Sequence, residues 1–350
     1  MTEKKITTAV LGLNDKGQLL AEAAARLGSF ELAAVADKDT GLAESTAGKY
    51  GCTAYDDYRQ LIMQNQLDCL IVAAGMHSCD EHIKTAMKKK FNILKLAPVA
   101  RDFEEAAEFV RLAEDEGIKF AVANELRFSQ SFSALAEFLE QHSVEQIFLI
   151  EAVCIVGDKP APQWQSDWKL SGGGVLLRNC FGLIDQIVTN FKVPEQVYSL
   201  NINQAGDRQQ RLYLTEDTAL LTMKFNDTLI GNLITSKAFG QEKLLLKIYG
   251  KEKILTVTNS TFTVSDHSGK TVRKEQFRDN EVTRMKKLLE KYAQSFILSD
   301  KSKLYSSGME NLHNMAVIES AYLSARTAMP EEPARILQMA SKLAGKPISI

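Results

Sequence analysis

The sequence predicts two domains: an α/β Rossmann domain with a doubly wound parallel sheet, then an α+β domain with a large open, mostly antiparallel or mixed sheet. Apolar strand-like runs alternate with helical patterns up to Asn124, which is typical of a parallel sheet covered on both faces. Beyond Asn124, several strand patterns follow one another with polar and glycine-rich joints. The chain has 350 residues, which is long for a single hydrophobic core.

Apolar strand-like runs of the first domain lie at 6–13, 30–37, 68–75, 92–97 and 118–124, with helical patterns between them. In the second domain, strand patterns include QIFLIEAVCIV, QVYSLNIN, ALLTMKFN, LIGNLITSK, KLLLKIYG and ILTVTNS, and two helices at 281–298 and 309–326 close the pattern. We therefore expect a dinucleotide-binding domain over 1–124, a substrate or oligomerisation domain over 125–330, and a tail over 331–350.

Composition and charge exclude several classes of function. The formal net charge is -2 and 25% of residues are charged, so no basic surface for nucleic acid or an anionic membrane is expected. The five cysteines are scattered without a CxxC pair, which argues against disulfide and metal sites. The amino-terminal residues pass from a polar start directly into a strand pattern. We expect no signal peptide, no membrane segment and a cytoplasmic protein.

The first strand runs into GLNDKG, which resembles the G-x-G-x-x-G nucleotide turn. Gly12 and Gly17 occupy the outer positions, where glycine permits a tight turn and close packing of helix on strand. Asn14 replaces the middle glycine, and its Cβ crowds the phosphate approach, although its amide could donate a hydrogen bond. The turn therefore predicts a nucleotide site, with a domain that kept the turn and lost the nucleotide as the alternative.

Asp37 ends the second strand about twenty residues past the turn. A carboxylate at this place accepts hydrogen bonds from a ribose 2′-hydroxyl and repels a 2′-phosphate. The sequence therefore favours NAD over NADP as the cofactor.

The chain from about Ile6 to Arg326 resembles the Gfo/Idh/MocA family of NAD(P)-dependent oxidoreductases. The resemblance rests on GLNDKG with AVAD, on AAGMHSCDEHIKTAMKKKFNILKLAP, on WKLSGGGVLLRNCFGLIDQIV and on IESAYLSARTAM. It implies a Rossmann domain, a second domain with an open mixed sheet often used for oligomerisation, and a small-molecule ligand. It also implies cofactor contacts from the turn and from two later loops, at Gly12, Leu13, Asn14, Gly17, Asp37, Ala74, His77 and Ala97.

The family's usual proton-handling groups are changed in this sequence. The lysine of the family's Glu-Lys-Pro corresponds to Ala97, and the glutamate corresponds to Leu96. The family's aspartate and histidine on the helix after the triple glycine correspond to Arg178 and Gly182. Alanine and glycine carry no titratable group, and arginine stays protonated. The resemblance therefore predicts an atypical site.

Two residues are candidates for the missing proton transfer. Lys95 lies on the same strand face as Ala97, one step back, at an offset of about 6.5–7 Å. A structural or charge-pairing role for Lys95 is favoured over catalysis. His77 follows the fourth strand and could shuttle protons, although a loop hydrogen bond or a ribose contact is the favoured reading.

The second domain offers candidates for the substrate. Arg178 would suit a carboxylate or phosphate through paired hydrogen bonds, with a salt bridge to a nearby carboxylate as the alternative. Trp168 and Lys169, with Trp164, match positions that often contact substrate, although core anchoring is common for tryptophan. Gly182 indicates close backbone or ligand approach, or a site released from function. The matching Asp185 is expected to pack or to cap.

Two functions of different class remain open at this point. The first is an NAD(P)-binding oxidoreductase acting on a sugar-like or acidic small molecule, with unconventional acid–base groups. The second is a catalytically inactive nucleotide- or ligand-binding regulator or partner subunit. In either case we expect a homo-oligomer, a dimer or tetramer, formed through the second sheet, and no metal.

Overall fold

The computed structural model describes residues 5–141, 146–157, 162–204, 214–238, 240–297 and 304–344. The chain forms two compact units. The first unit comprises Met1–Ala100, Glu105–Glu125 and Asn280–Asn311. The second comprises Arg101–Glu104, Leu126–Asp279 and Leu312–Ile350. None of the described helices is both long enough and apolar enough to cross a bilayer.

The first unit contains a six-stranded sheet in which every neighbouring pair is parallel. The spatial order is β3-β2-β1-β4-β5-β6, so the predicted doubly wound Rossmann topology is confirmed. The strands are β1 Ile6–Leu11, β2 Phe30–Ala36, β3 Thr53–Tyr55, β4 Cys69–Val72, β5 Asn92–Leu96 and β6 Phe120–Ala123. The helices after them are α1 Asp15–Arg26, α2 Thr40–Tyr50, α3 Tyr58–Gln64, α4 Asp80–Lys88 and α5 Phe103–Asp115.

The burial of these strands explains their sequence. Every residue of β4 and β6 is buried, because side chains on both faces of a parallel sheet are covered. The strand order reverses between β1 and β4, and ligands of such sheets bind beyond the carboxyl ends of the strands at this reversal. The predicted nucleotide turn follows β1 at this point.

The second unit contains an eight-stranded sheet in the order β14-β13-β12-β11-β7-β10-β9-β8. β7 and β10 pair in parallel and the other neighbours are antiparallel, which confirms the predicted large mixed sheet. The strands are β7 Leu149–Ile155, β8 Gln196–Ile202, β9 Thr218–Lys224, β10 Ile230–Ser236, β11 Lys243–Tyr249, β12 Lys253–Thr258, β13 Thr261–Asp266 and β14 Thr271–Gln276. Helices α6 Gln130–Gln141, α7 Trp168–Ser171, α8 Val175–Asn179 and α9 Phe181–Phe191 belong to the same unit.

The helix α10, Glu281–Ile297, lies outside the unit in which the predicted domain boundaries place it. It packs on α1 of the first unit, and its apolar residues Met285, Leu289 and Tyr292 are buried. Lys119 closes its last turn by donating to the carbonyl oxygens of Ser295 and Phe296, at 2.8 and 2.9 Å. Its sequence pattern shows an amphipathic helix, but not which core its stripe covers.

Two further helices follow, α11 Gly308–Thr327 and α12 Pro333–Ala344. The region expected to be a tail therefore contains a helix. Ile336 and Leu337 of α12 are buried, and Glu331 just before it exchanges two 2.8 Å backbone hydrogen bonds with Val197 of β8. An isolated helix of this length is only marginally stable. The apolar side chains of α12 pack within the second unit, and this burial stabilises the helix.

Candidate functional site

The turn after β1 has the close packing that its two glycines predict. Gly12 has a φ of +90°, and a Cβ there would lie 2.4 Å from the Cα of Ala74. A Cβ at Gly17 would lie 2.0 Å from the carbonyl oxygen of Gly12. A side chain at either position would therefore separate β1 from α1 or from the segment after β4.

Asn14 is the N-cap of α1 rather than a free donor at the turn. Its φ is -57°, so it needs no unusual backbone angle. Its Oδ1 accepts from the backbone N–H of Gly17 at 3.0 Å, and its Nδ2 donates to the carbonyl oxygen of Ala73 at 2.7 Å. The amide that could donate to a phosphate is thus used to join α1 to the end of β4.

Asp37 lies just past β2 and is tied to the turn. Its Oδ2 accepts from the N–H of Leu13 at 2.6 Å, and its Oδ1 accepts from the N–H of Asp39 at 3.0 Å. An ionised carboxylate has about four acceptor positions, so two remain for ribose hydroxyls. The first turn of α1 also presents N–H groups without an i−4 partner. These residues fit a dinucleotide.

Lys95 is buried, and its amine is turned onto the backbone. Its Nζ donates to the carbonyl oxygens of Pro98, at 2.7 Å, and Leu96, at 3.1 Å. Burial lowers the pKa of this amine. No carboxylate within the described ranges lies in salt-bridge distance of it. The hydrogen bonds of Lys95 therefore hold the backbone around Ala97 in place, which is the structural role. The alternative role, a charge pair, is not formed with any described carboxylate.

His77 lies in a short 3₁₀ helix, Met76–Ser78, after β4. Burial, followed by the positive charge of Lys38, lowers the pKa of its imidazole. Both effects favour the neutral form of the imidazole.

Asp185, in α9, is fully buried in an ion pair, so it neither caps a helix nor merely packs. It accepts from Nε of Arg127 at 2.7 Å and from Nη2 of Arg127 at 2.6 Å. Asn314 donates to the same carboxylate at 2.9 Å. Nearby in α9, a Cβ at Gly182 would lie 3.2 Å from Cδ1 of Leu126. The close approach expected at Gly182 is thus made by a neighbouring leucine.

Gly174, the last of the triple glycine 172–174, packs against a buried carboxylate that the sequence does not predict. Glu216 accepts from the N–H groups of Gly174 and Leu176, both at 2.9 Å, and from the hydroxyl of Tyr322 at 3.0 Å. A Cβ at Gly174 would lie 1.9 Å from the carbonyl oxygen of Glu216. Burial raises the pKa of Glu216, and the hydrogen bonds from Leu176 and Gly174 oppose that change.

Local sequence carries little signal for this arrangement. Glu216 is 42 residues from Gly174 and 106 residues from Tyr322. The one usable sign is an acidic residue two positions before a strand, where a solvated loop carboxylate is the commoner case.

Arg178, in α8, forms no salt bridge to any described carboxylate, so the predicted alternative of an ion pair is not seen in that part of the chain. Its guanidinium lies over the ring of Trp164, 5.2 Å from the ring centre, and its Nη1 is 3.5 Å from the carbonyl oxygen of Gln165. Burial lowers the pKa of Arg178 to about 10, against the raising effect of Glu216 and Tyr322. It remains a cation at neutral pH.

The two other substrate candidates differ in their surroundings. Trp168 packs edge-on against the ring of Tyr322, with 5.0 Å between ring centres, and is still 36% exposed. Lys169 is exposed, and its backbone N–H donates to the Asp167 carboxylate that caps α7. One part of the Trp168 side chain therefore packs on Tyr322, and another part is exposed at the surface. No group of three or more His, Cys, Asp or Glu side chains in the described ranges could hold a metal ion.

Two family models match the chain. Residues 6–124 match the model described as "Oxidoreductase family, NAD-binding Rossmann fold", and residues 136–332 match "Oxidoreductase family, C-terminal alpha/beta domain". The chain belongs to the Gfo/Idh/MocA oxidoreductase family. A search of curated protein sequences finds no match for this family member.

Solved structures share its fold at low identity. An oxidoreductase from Thermotoga maritima is 18% identical with a TM-score of 0.81, covering 95% of this chain and all of that one. An oxidoreductase from Agrobacterium radiobacter, in complex with NAD+, L-tartaric acid and magnesium, is 16% identical with a TM-score of 0.77 over 95% of this chain and 100% of its own. The WlbA dehydrogenase from Bordetella pertussis, in complex with NADH and UDP-GlcNAcA, is 15% identical with a TM-score of 0.77 over 94% and 99%.

Proposed function

We propose that this family member is an NAD-dependent oxidoreductase acting on a sugar-like or acidic small molecule that carries a hydroxyl group. The observation that carries the proposal is the turn after β1, in which Gly12 and Gly17 allow close packing and Asp37 is held beside Leu13. The carboxylate of Asp37 would accept from a ribose 2′-hydroxyl and repel a 2′-phosphate, which favours NAD over NADP. Ala74 and Ala97 would line the cofactor with small side chains.

The chemistry divides between the cofactor and the chain. NAD, when bound, supplies the hydride acceptor for the substrate carbon. The substrate hydroxyl must lose its proton as the carbonyl forms, and the neutral imidazole of His77 is our proposed acceptor. Lys95 is less suited, because its amine already donates to two carbonyl oxygens. Arg178, a lasting cation, would hold an anionic group of the substrate.

A calorimetric titration of nucleotide-stripped protein with NAD, NADH, NADP and NADPH tests the cofactor. We expect micromolar binding of the non-phosphorylated pair and weaker binding of the other two. Absence of binding by all four would contradict the proposal, because no hydride acceptor would then be available.

The proton acceptor is tested by NADH formation with a panel of hydroxylated acids. We expect His77→Ala to lower the rate by about 10²- to 10⁴-fold, the usual contribution of a positioned acid–base group. Lys95→Met, measured on folded protein, should leave the rate per molecule unchanged. Turnover that survives both substitutions would show that another group accepts the proton.

A second candidate function is a catalytically inactive binding protein or partner subunit. The favouring observation is that Ala97 and Gly182, at two of the family's proton-handling positions, carry no titratable group, while the nearby Lys95 amine is engaged with backbone. NAD binding without turnover on any panel acid would support this candidate.

The open face of the second sheet supports a homo-oligomer. One cross-strand row consists of Leu200, Leu220, Ile234, Val153 and Leu245, on five neighbouring strands. Leu200, Leu220 and Ile234 are between 41% and 53% exposed. A continuous exposed apolar row of this kind marks an interaction surface, and a second copy of the chain is the proposed partner.

A further inference from the structure

A polar row crosses the open face of the second sheet beside the exposed apolar row. From β8 to β11, in spatial order, it consists of Tyr198, Thr222, Asn232, Glu151 and Lys247. Each of these residues lies two positions along its strand from a member of the apolar row, so both rows point to the same face. In the same order, the apolar row is Leu200, Leu220, Ile234, Val153 and Leu245. The strand β10 is therefore the middle strand of both rows.

Two opposite charges stand side by side in the polar row without pairing. Glu151 and Lys247 are opposite one another on β7 and β11. Glu151 accepts from the hydroxyl of Tyr249 at 2.8 Å, and the Lys247 amine lies 4.6 Å from the centre of the Tyr249 ring. No salt bridge reaches either residue from the part of the chain that the structure describes. A carboxylate has about four acceptor positions and an ammonium has three donors, so both residues keep hydrogen-bonding capacity for a partner.

The apolar row is symmetric about β10. A two-fold axis along β10 would lay the row on the same row of a second copy and exchange the strands on either side of β10. Every facing pair would then be apolar, so packing would bury no polar group against this row. The facing pairs are Ile234 with Ile234, Leu220 with Val153, and Leu200 with Leu245.

The same axis gives the polar row neutral polar partners. Glu151 would face Thr222 of the second copy, whose hydroxyl can donate to the carboxylate. Lys247 would face Tyr198 of the second copy, whose hydroxyl accepts and whose ring attracts a cation. Asn232, on the axis, would face itself, and a side-chain amide both donates and accepts. The polar row is therefore complementary to itself about β10.

Other two-fold axes in the plane of the sheet give poorer contacts. An axis across the strands, along the apolar row, would place Lys247 opposite Lys243 of the second copy, and facing like charges oppose association. An axis between β7 and β11 would place the exposed Ile234 opposite the polar Thr258. The distribution of charge and apolar side chains therefore favours the axis along β10.

We propose that a second copy of the chain docks on this face about a two-fold axis that runs along β10, with Asn232 and Ile234 on the axis. Only β9 and β8 lie on one side of β10, so the contact takes in β7 and β11 on the other side and ends there. The strands β12, β13 and β14 lie outside it. This inference rests on the proposed homo-oligomer and is independent of the proposed reaction.

Cysteine cross-linking tests the axis, because only residues on it meet their own counterparts. Each variant also carries Cys52→Ser, since the other four cysteines are buried, and is treated with a short bismaleimide linker. Ile234→Cys should give a covalent dimer. Leu200→Cys alone should give none, because its two copies would be separated by four strand spacings, about 19 Å. Leu200→Cys combined with Leu245→Cys should give a covalent dimer again.

The outcomes separate the axis from the oligomer itself. Cross-linking of Leu200→Cys alone, or a wild type that associates while Ile234→Cys forms no covalent dimer, would overturn the axis and leave the homo-oligomer standing. A wild type that sediments at the 38.9 kDa of one chain at every concentration would overturn both.

A charge variant tests the axis without a cross-linker. Asn232→Asp would place two carboxylates opposite each other, so the dissociation constant in sedimentation experiments should rise by about a hundredfold or more. Thr256→Asp adds the same charge to the same row on β12, outside the contact, and should associate as the wild type does. Unchanged association of Asn232→Asp, or equal weakening by Thr256→Asp, would overturn the proposal.

Two further measurements on the same proteins separate the possible causes of lost association. A thermal melt of each variant verifies that it is folded. A calorimetric titration with NAD tests the proposed oxidoreductase separately, because the axis and the cofactor site lie in different units. Absence of NAD binding by a wild type that cross-links as expected would overturn the oxidoreductase and support the axis.

Discussion

At the scale of single residues, the role of each charged group at the candidate site depends on its hydrogen-bond and ion-pair partners more than on its residue type. Lys95 donates to backbone carbonyl oxygens, and Asp185 forms an ion pair with Arg127, although both residues have the chemistry of catalytic groups. Arg178 has the opposite situation, because Glu216, whose charge acts on it, accepts its hydrogen bonds from other groups. Residue type therefore identifies candidates, and hydrogen-bond partners decide among them.

Asp37→Asn should change the cofactor preference. The substitution removes the negative charge that repels a 2′-phosphate, and it weakens the acceptor for the ribose hydroxyl. We expect NAD binding to weaken by about tenfold or more, as for loss of a hydrogen bond to a charged group, and the ratio of NADP to NAD affinity to rise. Calorimetric titration measures both. Asp39→Asn, at the exposed N-cap of α2, is the matched control and should leave the ratio unchanged.

Lys95→Met should destabilise the first unit. The substitution leaves the carbonyl oxygens of Pro98 and Leu96 without this donor in a buried environment, at a cost of about 1–3 kcal/mol. Because its folded-state pKa is lowered, Lys95 binds fewer protons in the folded than in the unfolded chain between that pKa and the ordinary 10.5. Its contribution to stability therefore improves as pH rises through that window. Urea unfolding at several pH values measures this, and a wild-type-like midpoint would contradict the structural role.

At the scale of elements, the short helix α8 depends on a residue far away in sequence. Its first N–H groups have no partner within the helix, and Glu216 supplies the acceptor. Glycine is then required at position 174 because Gly174 lies against the backbone of Glu216. The helix that carries Arg178 is thus positioned by the start of β9.

Glu216→Gln should destabilise this arrangement by about 1–3 kcal/mol, because both oxygens of Glu216 accept hydrogen bonds and the glutamine amide has only one acceptor oxygen. Its raised folded-state pKa means that the folded chain keeps this proton to higher pH than the unfolded chain. Stability from Glu216 is therefore largest below about pH 4.5 and is lost as pH rises through the raised pKa. Thermal melts from pH 4 to 8 would show a smaller difference between the two proteins at higher pH. Glu275→Gln, in β14, is the control.

At the scale of the whole molecule, each unit has one sheet and the two sheets differ in what covers them. The first is buried on both faces, and the second leaves a row of apolar side chains exposed across β8, β9 and β10. The row is continuous because the strand register places these side chains opposite one another.

Leu220→Asp should prevent association of the chain with itself. Leu220 lies at the centre of the exposed row, between Leu200 and Ile234, and a buried unpaired carboxylate would oppose packing of a second copy. We expect the wild type to elute as a dimer or tetramer and the variant at the 38.9 kDa of one chain, measured by light scattering after size exclusion. Val272→Asp, an exposed apolar position of β14, should not change the mass. A wild type that is already monomeric would contradict the proposal.

The sequence by itself determined both sheets, the family, and the nucleotide turn, because these depend on local patterns. Buried parallel strands must be continuously apolar, and the roles of Gly12 and Gly17 follow from their places beside β1 and α1. Tertiary structure alone decided which partners the charged groups have. It brought Glu216 to Gly174 and Arg127 to Asp185, and it placed α10 on the first unit. Such contacts join residues far apart in the chain, and their energy depends on burial and geometry that no local pattern records.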